Sequence, residues 1–276
     1  MPPVAETITT QAGQAALEVG LVFGESTVTS AFASSPMKML TPVARGRSVW
    51  ACTSSFGGGL VAGDETRLEL TVGAGARCFL GTQSSTKVYR NPAGLPCSHM
   101  TRATLEADAL LIFAPDPVQA FTDSHYAQRQ EFNLAAGAGL VLLDWFTSGR
   151  AARGERWAFA HLESRNDVFV AGKRVLVDSI LFSSAEVAAQ MSRFNCLATL
   201  LLLGPPLQVA TEKMLLEIAG RPVEKRAPTA CSASPVGGGA LLRVAGESVE
   251  TVRHELYRQL AFAAEMLGDD PWARKW

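Results

Sequence analysis

Residues Phe56–Arg90 read FGGGLVAGDETRLELTVGAGARCFLGTQSSTKVYR, and the fold turns on how this stretch is read. Three glycines, Gly57 to Gly59, open it, and Gly63 leads into the acidic pair Asp64 and Glu65. Leu68, Leu70 and Val72 then alternate with Arg67, Glu69 and Thr71, the period of two of a half-buried strand. Gly73-Ala74-Gly75 is turn material, because glycine reaches positive φ without steric cost. Ala76, Cys78 and Leu80 resume the alternation, and the stretch ends in the polar run Thr82 to Arg90.

The same sentence is spoken twice more. Thr104–Phe113 gives a strand, an acidic turn at Glu106-Ala107-Asp108 and a second strand. Arg129–Leu134 and Gly139–Trp145 flank Ala135-Ala136-Gly137-Ala138. Turns recurring roughly every 30 residues are how stacked repeat architectures announce themselves. Upstream, Leu17–Phe32 predicts one or two strands around Gly24, and Met37–Trp50 another. Downstream, Trp157–Leu162 and Val168–Phe182 predict strands with a hairpin at Ala171-Gly172-Lys173. Leu197–Leu203 reads as a buried strand, and Pro235–Val244 as a turn and a strand. Helices come late. A brief one is expected across Ala185–Arg193, a second over Ala210–Ala219 and a third over Ser248–Leu267, which Ser248 can cap and Gly268 can end. Arg253, His254, Glu255 and Arg258 are assigned to the wet face of that last helix, and Trp272 and Trp276 to exposed positions. The expected fold is mainly β: stacked, solenoid-like sheets resembling a β-helix, with two principal helices in the C-terminal part. One domain covers 1–276, a strand stack over 1–184 and a mixed part over 185–276.

The chain has 276 residues and a net charge of −1, which gives no global field for nucleic acid or an anionic membrane. Leu197–Leu203 is too short to cross a bilayer, which takes about 20 residues. Met1–Ala12 shows no basic-then-apolar leader, so a cytoplasmic protein is expected. Five scattered cysteines with no CxxC spacing suggest neither a disulfide framework nor a zinc site.

Four chemistries bear on these residues. A phosphate cradle at Gly57–Gly63 would need lysine where Asp64 stands, and a strand rather than a helix follows. No G-x-S-x-G elbow is present, and His99, His125, His161 and His254 have no nucleophile at a telling spacing. A sugar hydrolase could draw two carboxylates from Asp64, Asp116, Asp144 and Asp178, with their separation deciding the mechanism. Sparse carboxylates along a polar path could also pass a divalent cation without trapping it, since conduction needs binding loose enough to release. The alternative for each is an exposed turn residue or one bonded to backbone.

The residues also resemble a known family. Gly58-Gly59, Gly63-Asp64, Gly73 to Ala76, Thr82-Gln83, Thr86-Lys87 and Tyr89-Arg90 are similar to the GGxxxGD, GxGA and TQxxTKxYR segments of urease accessory proteins of the UreD (UreH) type. Pro115-Asp116-Pro117, Asp144 to Arg150 with Gly154-Glu155, and Leu197–Pro205 extend the likeness from about Val22 to about Leu267. The resemblance implies a non-enzymatic chaperone with stacked sheets. Such a protein binds the urease apoprotein and recruits UreF and the GTPase UreG, so that nickel reaches the urease active site. It further implies a hetero-oligomer with UreF assembled as paired copies, no tightly bound cofactor, and nickel in transit past Asp64, Asp144 and Asp178. Asp178 stands where many relatives carry glutamate, which keeps the charge and shortens the reach. Thr82, Thr86, Lys87 and Tyr89 match the family's polar run, with strand-end capping as the other reading. Arg150 and Glu155 are expected to pair across the Gly149–Gly154 loop.

Overall fold

The computed structural model describes residues 12–43 and 46–273; the expectations for Met1 to Gln11 and for Trp276 lie outside them. Up to Ser183 the regular structure is strand apart from two short 3-10 turns, Phe56–Gly58 and Ala151–Arg153. β1 (Gly13–Val22) and β2 (Glu25–Ala33) form a hairpin over Phe23-Gly24. There follow β3 (Met37–Leu40), β4 (Val49–Ser55), β5 (Gly59–Leu60), β6 (Glu65–Val72), β7 (Arg77–Thr82) and β8 (Thr86–Val88). The next are β9 (Cys97–Leu105), β10 (Leu110–Phe113), β11 (Val118–Ala120), β12 (His125–Leu134) and β13 (Gly139–Thr147). β14 (His161–Val170) and β15 (Lys173–Ser183) close this part.

Each glycine or acidic turn carries the chain from one sheet to the other. β6, β9, β12 and β14 lie side by side and parallel in one sheet, flanked by β1 and β2 at one edge and β15 at the other. β4, β7, β10 and β13 run parallel in the facing sheet. The repeat is therefore a coil, and successive coils bond to one another even through the turns: Gly75 N–H donates to Ala107 O and Asp108 N–H to Ala136 O. Glycine is required at one of these corners. At Gly137, φ is +77° and an added Cβ would lie 1.9 Å from Asp108 Oδ1.

The second half adds β16 (Cys196–Leu203), β17 (Thr229–Val236) and β18 (Gly239–Gly246) to the same facing sheet, antiparallel, beyond β13. Strands from before and after residue 184 thus share one sheet. Four helices occur among the described residues: α1 (Ser184–Met191), α2 (Gln208–Ala219), α3 (Val249–Gln259) and α4 (Ala263–Leu267).

Three layers result. The inward residues of both sheets meet in one core, including Leu17, Leu70, Leu105, Phe132, Leu140 and Leu201. The opposite face of the facing sheet, with Val141, Leu143, Leu200 and Val244, is covered by Met214, Val252, Leu256 and Leu267 from α2, α3 and α4. A third cluster, Val88, Phe146, Trp157 and Phe159 among others, fills one flank. β13 and β16 are apolar on both faces because both faces are covered, apart from the polar positions described below.

Several expectations change. Met37–Trp50 is not one strand but β3 and the start of β4. The strand begun at Trp157 starts instead at His161 and runs unbroken through residues 163–167, which sequence reading left as a gap. β17 was missed, since its alternation of small and polar residues carries little apolar signal. The helix of Ser248–Leu267 is two helices, broken at Leu260–Phe262, although Ser248 does cap its start through a box with Thr251. Glu255 is buried rather than wet: Arg221 from the end of α2 and Arg258 both donate to it, pinning α3 to α2. Trp272 is half-buried, edge-on to Phe79 at 5.7 Å.

Candidate functional site: a polar seam inside the stack

Alternation fixes which side chains point between the sheets, and four parallel strands repeat the choice at each coil. Toward one end of these strands the inward positions are apolar, as in the row Leu70, Ala103, Phe132 and Val168. Toward the other end they turn polar. One row is Thr66, His99, Gln128 and Ser164; the next is Leu68, Thr101, Gln130, Asn166 and then Asp178 on β15. The facing sheet contributes Asp144 on β13, Thr199 on β16 and Arg243 on β18, which are register neighbours. A seam of polar side chains thus runs along the stacking axis.

Its hydrogen bonds are dense. Gln128 Nε2 donates to Asp144 Oδ1 at 2.7 Å and to Ser164 Oγ at 2.8 Å. Ser164 Oγ donates to Asp144 Oδ2 at 2.6 Å, as does Asn166 Nδ2 at 3.0 Å. Gln130 Nε2 donates to Asn166 Oδ1, and Tyr126 OH to Gln128 Oε1. His99 is held at both ring nitrogens, by Thr66 at 2.8 Å and Thr101 at 2.9 Å. At the far end Arg243 donates to Asp178. Two polar atoms in the seam have no partner: Thr199 Oγ1 and Asp178 Oδ2.

Burial shapes the charges. It raises the pKa of Asp144 above the ordinary carboxylate range, against the lowering pull of Ser164, Asn166 and Gln128, and the charge of Asp178 raises it further. Burial lowers His99 to about 4, so this imidazole is neutral at physiological pH. Cys78 and Cys196 are pushed up to about 12 by the same cause, leaving both as thiols rather than thiolates. No three His, Cys, Asp or Glu residues stand close enough among the described residues to hold a metal ion together.

A cavity partly open to solvent leads into one end of this seam. Ser54, Ser55, Thr82, Ser84, Ser85 and Thr86 are among its walls, and Thr66, His99, Gln128, Gln130 and Asp144 line it as well. Of the positions expected from the sequence, Asp144, Thr82 and Thr86 meet in this cavity, joined by Asp116. Asp178 is buried in the same seam beyond Asp144 and does not line the cavity. Asp64 lies outside the lining; it sits in a turn, where its Oδ2 accepts from the Val61 N–H at 2.8 Å. That is the backbone-bonded alternative weighed for it. Lys87 is exposed and absent from the lining. Tyr89 OH donates to Gly57 O and braces the glycine segment, where a Cβ on Gly59 would come within 2.5 Å of Lys87 O. Arg150 and Glu155 do pair, through two hydrogen bonds, and Arg150 also lies over the Phe121 ring.

Sequence reading missed Gln128, Gln130, Ser164, Asn166, Thr199 and Arg243. A signal was available for the first four. They occupy the same alternation phase as Phe132, Leu134 and Val168, so a polar side chain there had to face the core.

The sequence matches the family described as UreD urease accessory protein over residues 11–276. The chain belongs to the UreD family. A protein named urease accessory protein UreD from Sorangium cellulosum is 47% identical, covering 96% of this chain and 85% of the relative. One of that name from Anaeromyxobacter is 42% identical over 96% and 90%, and urease accessory protein D of Arabidopsis thaliana is 34% identical over 91% and 97%. Membership of the UreD family supports a role in urease maturation. The relatives are named as accessory proteins, in keeping with a non-catalytic role. No helix among the described residues is long and apolar enough to cross a membrane.

Proposed function

We propose that this UreD-family chain is a scaffold that binds the urease apoprotein, recruits UreF and UreG, and lets nickel pass along its polar seam toward the urease active site. The observation that carries the passage is the seam itself, a row of hydrogen-bonding side chains buried between two sheets where apolar packing would be the rule. Neutral oxygen donors spaced along a wall, with Asp144 and Asp178 as its two buried carboxyl groups, suit a hard or borderline divalent cation that must be held loosely. Neither carboxylate belongs to a closed cage, which favours transit over storage.

Exposed apolar groups support the scaffolding half. Leu21, Val22 and Phe23 stand open at the tip of the β1–β2 hairpin, and Val209 and Leu216 on α2. Apolar side chains grouped in the open favour protein contacts. A sugar hydrolase would need a carboxylate free to meet substrate, whereas both oxygens of Asp144 already accept from protein donors.

The test is complementation of a urease-positive strain lacking this gene. Wild type restores nickel-loaded urease. Gln130→Leu, which interrupts the seam without touching the surface, leaves co-purification with UreF and urease intact and leaves urease nickel-poor. Full nickel content with Gln130→Leu would remove the passage from the proposal, and loss of both partners in wild-type pull-downs would remove the scaffold.

A further inference from the structure

Beyond the cavity, the seam ends in an ion pair. Asp178 is 4% exposed at its side chain, whereas its partner Arg243 is 52% exposed. The carboxylate is fixed inside, and the guanidinium reaches in from the rim on a long side chain with open solvent beside it. Only one carboxylate oxygen is engaged by Arg243; Asp178 Oδ2 is buried with no partner. Thr199 Oγ1, 4% exposed by residue and equally unpartnered, belongs to the inward row between Asp144 and Arg243. Leaving buried oxygens unsatisfied is costly, so their presence together marks a place shaped for something that supplies positive charge or hydrogen bonds. Asp144 is close enough to feel the Asp178 charge. The local sum is two inward carboxyl groups and one guanidinium.

We propose that Arg243 is a displaceable counter-ion closing the far end of the seam. It holds Asp178 until a divalent cation arrives, then releases it and turns outward into solvent, leaving the ion to bind Asp178 and the unpartnered Thr199 Oγ1. The proposal rests on the passage reading above and specifies how release is controlled. A guanidinium brings one charge and cannot follow the ion; a divalent ion brings two and can use the oxygens that arginine leaves bare. The exchange needs no chemical step and no large backbone motion, because the moving group is already half outside. Competition from Arg243 also keeps the ion's hold on Asp178 weak, as transit requires.

The probe is nickel ion alone, measured by equilibrium dialysis against the purified full-length chain, with circular dichroism confirming that each variant is folded. Arg243→Gln tightens nickel binding by about tenfold or more, the effect of removing one rival charge a few ångström from the carboxylate. Arg243→Lys, which keeps a positive charge, stays near wild type. Asp178→Asn weakens binding, and Thr199→Val serves in its place if that variant does not fold. Unchanged or weaker binding in Arg243→Gln, together with a loss in Asp178→Asn or Thr199→Val, overturns the counter-ion role and leaves the passage standing. If none of the variants alters nickel binding, the passage reading fails and the counter-ion role with it.

Discussion

The two ends of the inter-sheet space are built by the same strands and differ completely in character. Along β12, Tyr126, Gln128 and Gln130 face inward at one end and Phe132 and Leu134 at the other. β14 does the same with Ser164 and Asn166 against Val168. Where Phe132 sits, the sheets meet dry and an edge-to-face contact with Phe113 at 5.6 Å fills the gap. Two residues away the same backbone presents amides that have to find partners, and they find one another and Asp144. Burial alone therefore does not distinguish apolar core from polar seam in this fold; what each coil offers its neighbour does. The apolar end supplies the adhesion that allows the polar end to exist.

Replacing residues at each end should expose this division of labour. Phe132→Ala, at 0% exposure, should give the largest loss, about 3–5 kcal/mol by chemical denaturation. A loss below about 1 kcal/mol would mean that the apolar end is not what holds the sheets together.

His99 gives the next effect, and it depends on pH. Its folded pKa of about 4 lies below the unfolded value of 6.5, so the unfolded chain takes up the proton first. Stability is complete above 6.5 and drains away as pH falls toward 4, by up to about 3 kcal/mol. His99→Gln should flatten that acid limb in urea titrations from pH 7 to pH 4. An unchanged limb would show that the imidazole is solvated in the folded state.

Asp144 has the opposite sign. Its pKa is raised on folding, so the folded chain keeps its proton after the unfolded chain has lost it, and stability falls as pH climbs from the usual carboxylate range through the raised folded value. Asp144→Asn cannot lose that proton. Its stability relative to wild type should therefore improve with rising pH across that window and level off above it. A pH-independent difference would break the contrast between a strained polar end and a relaxed apolar one.

The outer face sets the baseline. Arg102 lies 3.8 Å from Glu69 with both side chains more than half exposed. Arg102→Ala should change stability by less than about 0.5 kcal/mol in the same assay.

Much of this plan was legible in advance, for local reasons. Alternation at Leu68, Leu70 and Val72 and the turns near Gly75, Ala107 and Gly137 state the coil directly, because period and turn chemistry are properties of adjacent residues. The break after Gln259 was not legible, since Leu260, Ala263 and Leu267 keep helical spacing across it and are all buried. The seam was half legible. Asp144 stood out as a charge among apolar neighbours, but its partners come from β12 and β14, and only the stacking of coils brings Gln128, Ser164 and Asn166 to it. Asp64 misled in the other direction: its glycine neighbours drew notice, and they serve the same turn that its carboxylate caps.

Because the seam crosses strands rather than following them, its length is counted in strands. From Thr66 on β6 to Asp178 on β15 it steps over β9, β12 and β14, four strand intervals of about 4.8 Å, or roughly 19 Å across the sheet. Such a seam can be lengthened or shortened only in whole coils, each insertion or deletion of about 30 residues moving its two ends apart or together by one fixed increment. The number of corner turns thus acts as a ruler for how far the buried polar row reaches across the stack.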